Sequence, residues 1–229
     1  MLFDLRGRGR RRTVQIIYLS LALLMGGGLV LFGIGGATSG GLVDALQGGG
    51  GTQSADDVFK DRVEALEKRV QANPRDARAW NELASVRFSV AGAGEGYDQT
   101  QRVYTTKGKA ELRRANAAWE RYLALNPSKP DADTAVKMVQ ALGDHGLRQY
   151  PDAVKAMEIV LDNRPATYQL YAQLAVLAHG AKQERKATLS ADKAVELAPK
   201  DQRKAVRDAI KQEQTRIDNL AAAGQPTGQ

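Results

Sequence analysis

The sequence predicts an all-α fold. An N-terminal transmembrane helix is followed by an α-solenoid of about three helix pairs, with a capping helix on each flank. Three observations carry this expectation. No charged residue stands between Arg12 and Asp44. Beyond Ser54 the apolar residues recur at steps of three and four, the spacing of one buried helix face. Finally, an alanine–bulky–proline frame returns three times along the chain, which marks a repeat architecture.

The chain has 229 residues, 43% hydrophobic and 26% charged, close to globular averages. It has no cysteine and only two histidines. A disulfide framework, a thiolate metal site and a thiol nucleophile are thereby excluded. The formal net charge is +7. Residues 1–12 hold five arginines against one aspartate, so over half of that excess sits in one short segment. A basic chain otherwise suggests nucleic acid, but this distribution argues against such a partner.

Residues 1–12 read as a basic cytoplasmic tail and 13–37 as the transmembrane helix. A helix over Val14–Ala37 is about 36 Å long, enough for a hydrocarbon core of about 30 Å. Tyr18 suits an interfacial position. Arg6, Arg8, Arg10, Arg11 and Arg12 precede the span, and only Asp44 follows it before Asp56. The positive-inside rule therefore keeps the N-terminus in the cytoplasm and sends the rest of the chain outward. A cleaved signal peptide ending at Gly35-Gly36-Ala37 is the alternative, but the apolar run exceeds the usual 7–15 residues. Ala22 and Gly26, Gly33 and Ala37, and Gly36 and Gly40 stand four apart, a spacing that permits a membrane-helix homodimer. Residues 38–54 form a Gly-rich linker, residues 55–223 the helical domain, and 224–229 a disordered tail.

In the helical domain Phe59, Val63, Leu66 and Val70 form one stripe that ends before Asn73-Pro74, with Ser54 and Asp57 set as a capping box. Ala115, Ala153 and Ala187 each precede a bulky or small residue by four (Trp119, Met157, Ala191) and a proline by twelve (Pro127, Pro165, Pro199). Trp80 stands six after Pro74 and Tyr171 six after Pro165. His145-Gly146 and His179-Gly180 are 34 apart, at the expected ends of first helices. With Leu83-Ala84 and Leu174-Ala175 on the first helices, this pattern resembles the tetratricopeptide repeat family, of the bacterial single-pass membrane-anchored type. The resemblance covers about 76–127, 131–165 and 166–199. Helices at 55–72 and 200–222 would cap the array, the latter through Ala205, Ala209 and Ile210.

Two departures stand out. Pro127 to Pro165 is four residues over the 34-residue period, which places four extra residues in a turn. Pro74 to Pro127 is longer still, and its excess lies at 91–106. Glycines break any helix there, Thr106 is placed to cap the next helix, and Tyr97, Val103 and Tyr104 favour a packed loop that meets a partner.

No catalytic, cofactor-binding or metal-ligating set is expected. Gly92-x-Gly94-x-Gly96 lacks the strand and lysine of a phosphate loop. Asp131-x-Asp133 lacks the rest of a calcium loop and reads as a helix start after Pro130. The histidines read as helix C-caps. What the resemblance implies instead is a protein-binding groove lined by first helices. On this chain its residues are Asn81, Ser85, Phe88, Met138, Leu142, Gln169, Ala172 and Val176. An extended peptide or amphipathic helix suits this mixed, rather apolar face. Met138, Leu142 and Val176 also read as ordinary core. The expected role is a non-enzymatic adaptor or assembly factor for envelope proteins in the cytoplasmic membrane. More specific forms are a c-type cytochrome maturation factor or an export-associated chaperone. A self-associating structural protein is the rival of another class.

Overall fold

A computed structural model describes residues 55–223. The basic tail, the span at 13–37, the linker and Ser54 of the capping box lie outside the described residues. Among the described residues no helix is long and apolar enough to cross a membrane. Eight α-helices make up about three quarters of this region: α1 (Ala55–Ala72), α2 (Ala77–Ala91), α3 (Thr106–Ala124), α4 (Ala132–Leu142), α5 (Tyr150–Asn163), α6 (Tyr168–Gly180), α7 (Glu184–Leu197) and α8 (Arg203–Ala223). A two-stranded ribbon, β1 (Tyr97–Asp98) and β2 (Val103–Tyr104), interrupts them.

Helix ends follow local chemistry. Pro74, Pro127, Pro165 and Pro199 each fall two or three residues beyond a helix, because proline cannot continue the hydrogen-bond ladder. Asp76 caps α2 by accepting a bond from Ala79 N at 2.9 Å, and Asp131 caps α4 through Thr134 N at 2.7 Å. Seven residues join α4 to α5 where three join α6 to α7, so the four additional residues do lie in that turn. They also part the two histidines. His179 sits in the last turn of α6, whereas α4 stops at Leu142 and leaves His145 exposed in the turn beyond. Gly143, not His145, follows the end of α4 and donates to Val139 O at 3.0 Å.

The chain divides into two compact units. One runs to Ala166 and includes Val176–Ala187; the other holds Thr167–Ala175 and the residues from Thr188 on. In the first, α2 packs on α3 and α4 on α5, α1 lies against α2, and α4 touches both α2 and α3. Four alanines of the repeat frame are buried in this unit, Ala84, Ala115 and Ala153 at 0% exposure and Ala187 at 2%, whereas Ala191 of the other unit is half-buried. A methyl at these positions lets helix axes approach closely. Leu112, Met138, Leu142 and Met157 fill the core between helices at 1% exposure or less. Full burial of such a side chain stabilises by about 1.5–3 kcal/mol. Leu66 and Val70 are buried on α1, while Phe59 and Val63 are half-buried.

In the second unit Ala172, Leu174, Ala175, Ala194 and Ala198 are buried. On α8 the buried stripe is Val206, Ile210 and Ile217, at steps of four and seven. Ala205 and Ala209, expected on that face, are only half-buried. The larger β-branched side chains command the apolar contact and rotate the helix towards themselves.

Candidate functional site: the inner face of the first helix pairs

Asn81, Ser85 and Phe88 stand on α2 at steps of four and three, so they share one stripe. All three are half-buried. Ser85 Oγ accepts a hydrogen bond from Lys137 Nζ of α4 at 2.5 Å, which ties the two helices. The amide oxygen of Asn81 is buried and has no hydrogen-bond partner among the described residues. Met138 and Leu142 do not line this face: at 0% and 1% exposure they belong to the core. The polar side chains of α4 next to them, Lys137 and Gln140, are half-buried instead. Val176 of α6 is half-buried in the same unit. Gln169 and Ala172 belong to the other unit, the first exposed and the second buried.

Lys137 is the residue that pattern reading missed. Its signal is in the sequence: one cation inside the apolar run Thr134-Ala-Val-Lys137-Met-Val139. Burial pushes its ammonium below the ordinary lysine range, opposed by the charges of Asp131 and Asp133. Both acids are already engaged, Asp131 with the α4 cap and Asp133 with Arg164 at 2.5 Å.

A second charged group lies between α1, α2 and α3. Arg87 is 8% exposed, and its guanidinium bridges Glu67 of α1 and Glu111 of α3, the latter at 2.7 Å. Glu111 also takes Arg114. These residues, with Lys60 and Val63, line a cleft of about 460 Å³. Arg87, Glu67, Glu111 and Arg114 each have an opposite partner, so the group fastens the three helices to one another.

The segment 91–106 folds as a small knot. A 3₁₀ turn at Gly94–Gly96 leads into the ribbon, and Asp98 Oδ1 accepts from Thr100 N and Gln101 N across its bend. Tyr97 and Tyr104 meet edge to face with centroids 5.1 Å apart. Burial raises the Tyr104 hydroxyl above the usual tyrosine range. Val103 stays 42% exposed. The helix cap is Thr105 rather than Thr106: its Oγ1 accepts from Gly108 N at 3.2 Å and donates to Glu95 O at 2.7 Å. One hydroxyl thus starts α3 and pins the loop to it. Gly108 is required here, because a Cβ on it would stand 2.0 Å from Gly96 O.

Among the described residues no group of histidine and carboxylate side chains is gathered to hold a metal ion. His179 Nδ1 lies 3.6 Å from Glu184. No family model, curated protein sequence or solved structure matches the chain.

Proposed function

We propose that this chain is a tetratricopeptide-like, single-pass membrane protein whose helical domain is held outside the cytoplasm. There it acts as a non-enzymatic adaptor or assembly factor for envelope proteins. The observation that supports this reading best is the half-buried stripe Asn81, Ser85 and Phe88 on α2. It joins hydrogen-bonding groups and an aromatic on one rigid helix, the mixture that suits capture of an extended or helical protein segment. The uncharged run from Thr13 to Val43, with five arginines before it, supports the anchor and its direction.

The absence of cysteine allows a direct test. Gly224→Cys gives the chain a single thiol, and intact cells are treated with a membrane-impermeant maleimide. Labelling before lysis is expected, and the same cells, chemically crosslinked, should yield envelope proteins that co-elute with the chain. Labelling only after lysis would reverse the topology and move the search for partners to the cytosol. A thiol labelled in intact cells, without any co-eluting protein, would remove the adaptor role.

A further inference from the structure

The knot at 91–106 is the part of the first unit that helix packing does not explain. Its place follows from α1 and α2. Glu67 of α1 meets Arg87 of α2, and Val63 lines one cleft with Val90. A step back along α1 thus accompanies a step forward along α2, so the two helices run antiparallel. α2 ends at Ala91, just beyond Val90, whereas α1 begins at Ala55, well before Val63. At 1.5 Å per residue the first two turns of α1 extend about 10 Å past the end of α2. The knot grows from that same end. Gly96 is packed so tightly on the last turn of α2 that a Cβ there would stand 2.4 Å from Ala91 O. Thr105 pins the knot to the first turn of α3. The ribbon and the first turns of α1 therefore share one end of the unit.

The tip of the ribbon is unlike an ordinary solvated turn. Val103 is 42% exposed. Arg102 beside it holds φ at 55°, a conformation that glycine adopts at less cost, so the turn does not explain the arginine. The acids of the knot are engaged: Glu95 pairs with Lys107 at 3.0 Å, and Asp98 accepts from Thr100 N and Gln101 N. Arg102, and Lys109 in the first turn of α3, have no ion pair among the described residues. Tyr97 and Tyr104 on the ribbon, and Val58 and Phe59 on α1, are half-buried. An exposed aliphatic side chain, cations without anions and tyrosines form the set that lodges at a bilayer surface.

We propose that the ribbon seats on the surface of the bilayer that anchors the chain, with Arg102 pairing with lipid phosphate and Val103 entering the headgroup layer. The inference rests on the membrane anchor proposed above. On that reading the span at 13–37 and the Gly-rich linker at 38–54 lead directly into α1. A Gly-rich chain of that length reaches about 20–25 Å on average. The lipid surface is therefore the partner within reach of this end. One cation holds such a surface weakly, and the tether makes the contact persist.

Because the chain has no cysteine, Val103→Cys places a single thiol at the tip, and Ser128→Cys a single thiol beyond the other end of α3, where Ser128 is exposed. Each full-length variant carries an NBD fluorophore on that thiol. It is reconstituted into phosphatidylcholine vesicles with phosphatidylglycerol as the anionic component, with or without lipid that bears a nitroxide on its headgroup. Flotation reports whether the chain is in the vesicles. The nitroxide lipid is expected to quench position 103 roughly threefold more than position 128. Arg102→Gly keeps the ribbon, since glycine suits that φ, and should cut the quenching at 103 about twofold. Equal quenching at 103 and 128 in a chain that floats with the vesicles would overturn the seating and leave the anchor standing, with the ribbon free to meet a protein. Quenching at 103 that Arg102→Gly leaves unchanged would overturn the pairing with phosphate. A chain that does not float with the vesicles would overturn the anchor and the seating together.

Discussion

Arg87 shows how much one side chain can hold in this protein. It is buried where α1, α2 and α3 meet, and it alone separates two carboxylates. Arg87→Ala leaves Glu111, with a side chain only 15% exposed, beside Glu67 with only the exposed Arg114 to offset it. The expected cost is about 3 kcal/mol, as for removal of one partner from a buried pair. Glu67→Gln should cost under about 1 kcal/mol, since that side chain is 42% exposed and water screens it. Urea denaturation of both variants checks the contrast; equal losses would show that the bridge works through packing instead of charge. Lys137 is the opposite case. Burial disfavours its charge more than Asp131 and Asp133 support it, so Lys137→Met is expected to stabilise the free fold, as a rise in Tm would show.

At the scale of elements, caps and close approaches decide where helices begin and how tightly they meet. The Asp76 carboxyl is held below the usual range, chiefly by the bond from Ala79 N and also by the Arg69 guanidinium 2.8 Å away. A lowered folded value means that its contribution is complete above the ordinary carboxylate range. It is lost as pH falls through the lowered value. The stability gap between wild type and Asp76→Ala should therefore be constant near neutrality and close on acidification, as read by urea midpoints from pH 7 to pH 2. Gly108→Ala drives a methyl into Gly96 O and should cost about 3 kcal/mol, the upper end for an overpacked site. Thermal melts would show it.

The helices themselves were legible because apolar spacing and terminal prolines are local signals, and the buried alanines fell where the repeat frame put them. The ribbon was not legible. Two-residue strands carry no periodicity, and Tyr97 and Tyr104 meet only after the chain has turned back. On α2 the spacing alone placed Asn81, Ser85 and Phe88 on one stripe, the half-buried face proposed for binding. On α4 the spacing left Met138 and Leu142 open between groove and core, because apolar character cannot tell the two apart. Met138 and Leu142 turn inward, and Lys137, masked by its apolar neighbours, carries the polar contact.

For the molecule as a whole, two proposals meet: a membrane anchor fixes where the helical domain works, and an inner helix face defines what it does there. The described helices supply a rigid frame for that face, with the Lys137–Ser85 bond joining α2 to α4 and Arg87 fastening α1, α2 and α3. The domain needs no chemistry of its own in this role. In the role proposed for it, the domain presents Asn81, Ser85 and Phe88 in fixed register to a segment of another protein. The most direct measurement replaces Phe88 with a photo-crosslinking amino acid in the full-length protein and irradiates living cells. A control carries the same group at exposed Arg207 on α8. A discrete adduct with an envelope protein is expected from position 88 and not from position 207. No adduct from position 88, or the same adducts from both positions, would contradict the assignment of this face as the binding surface.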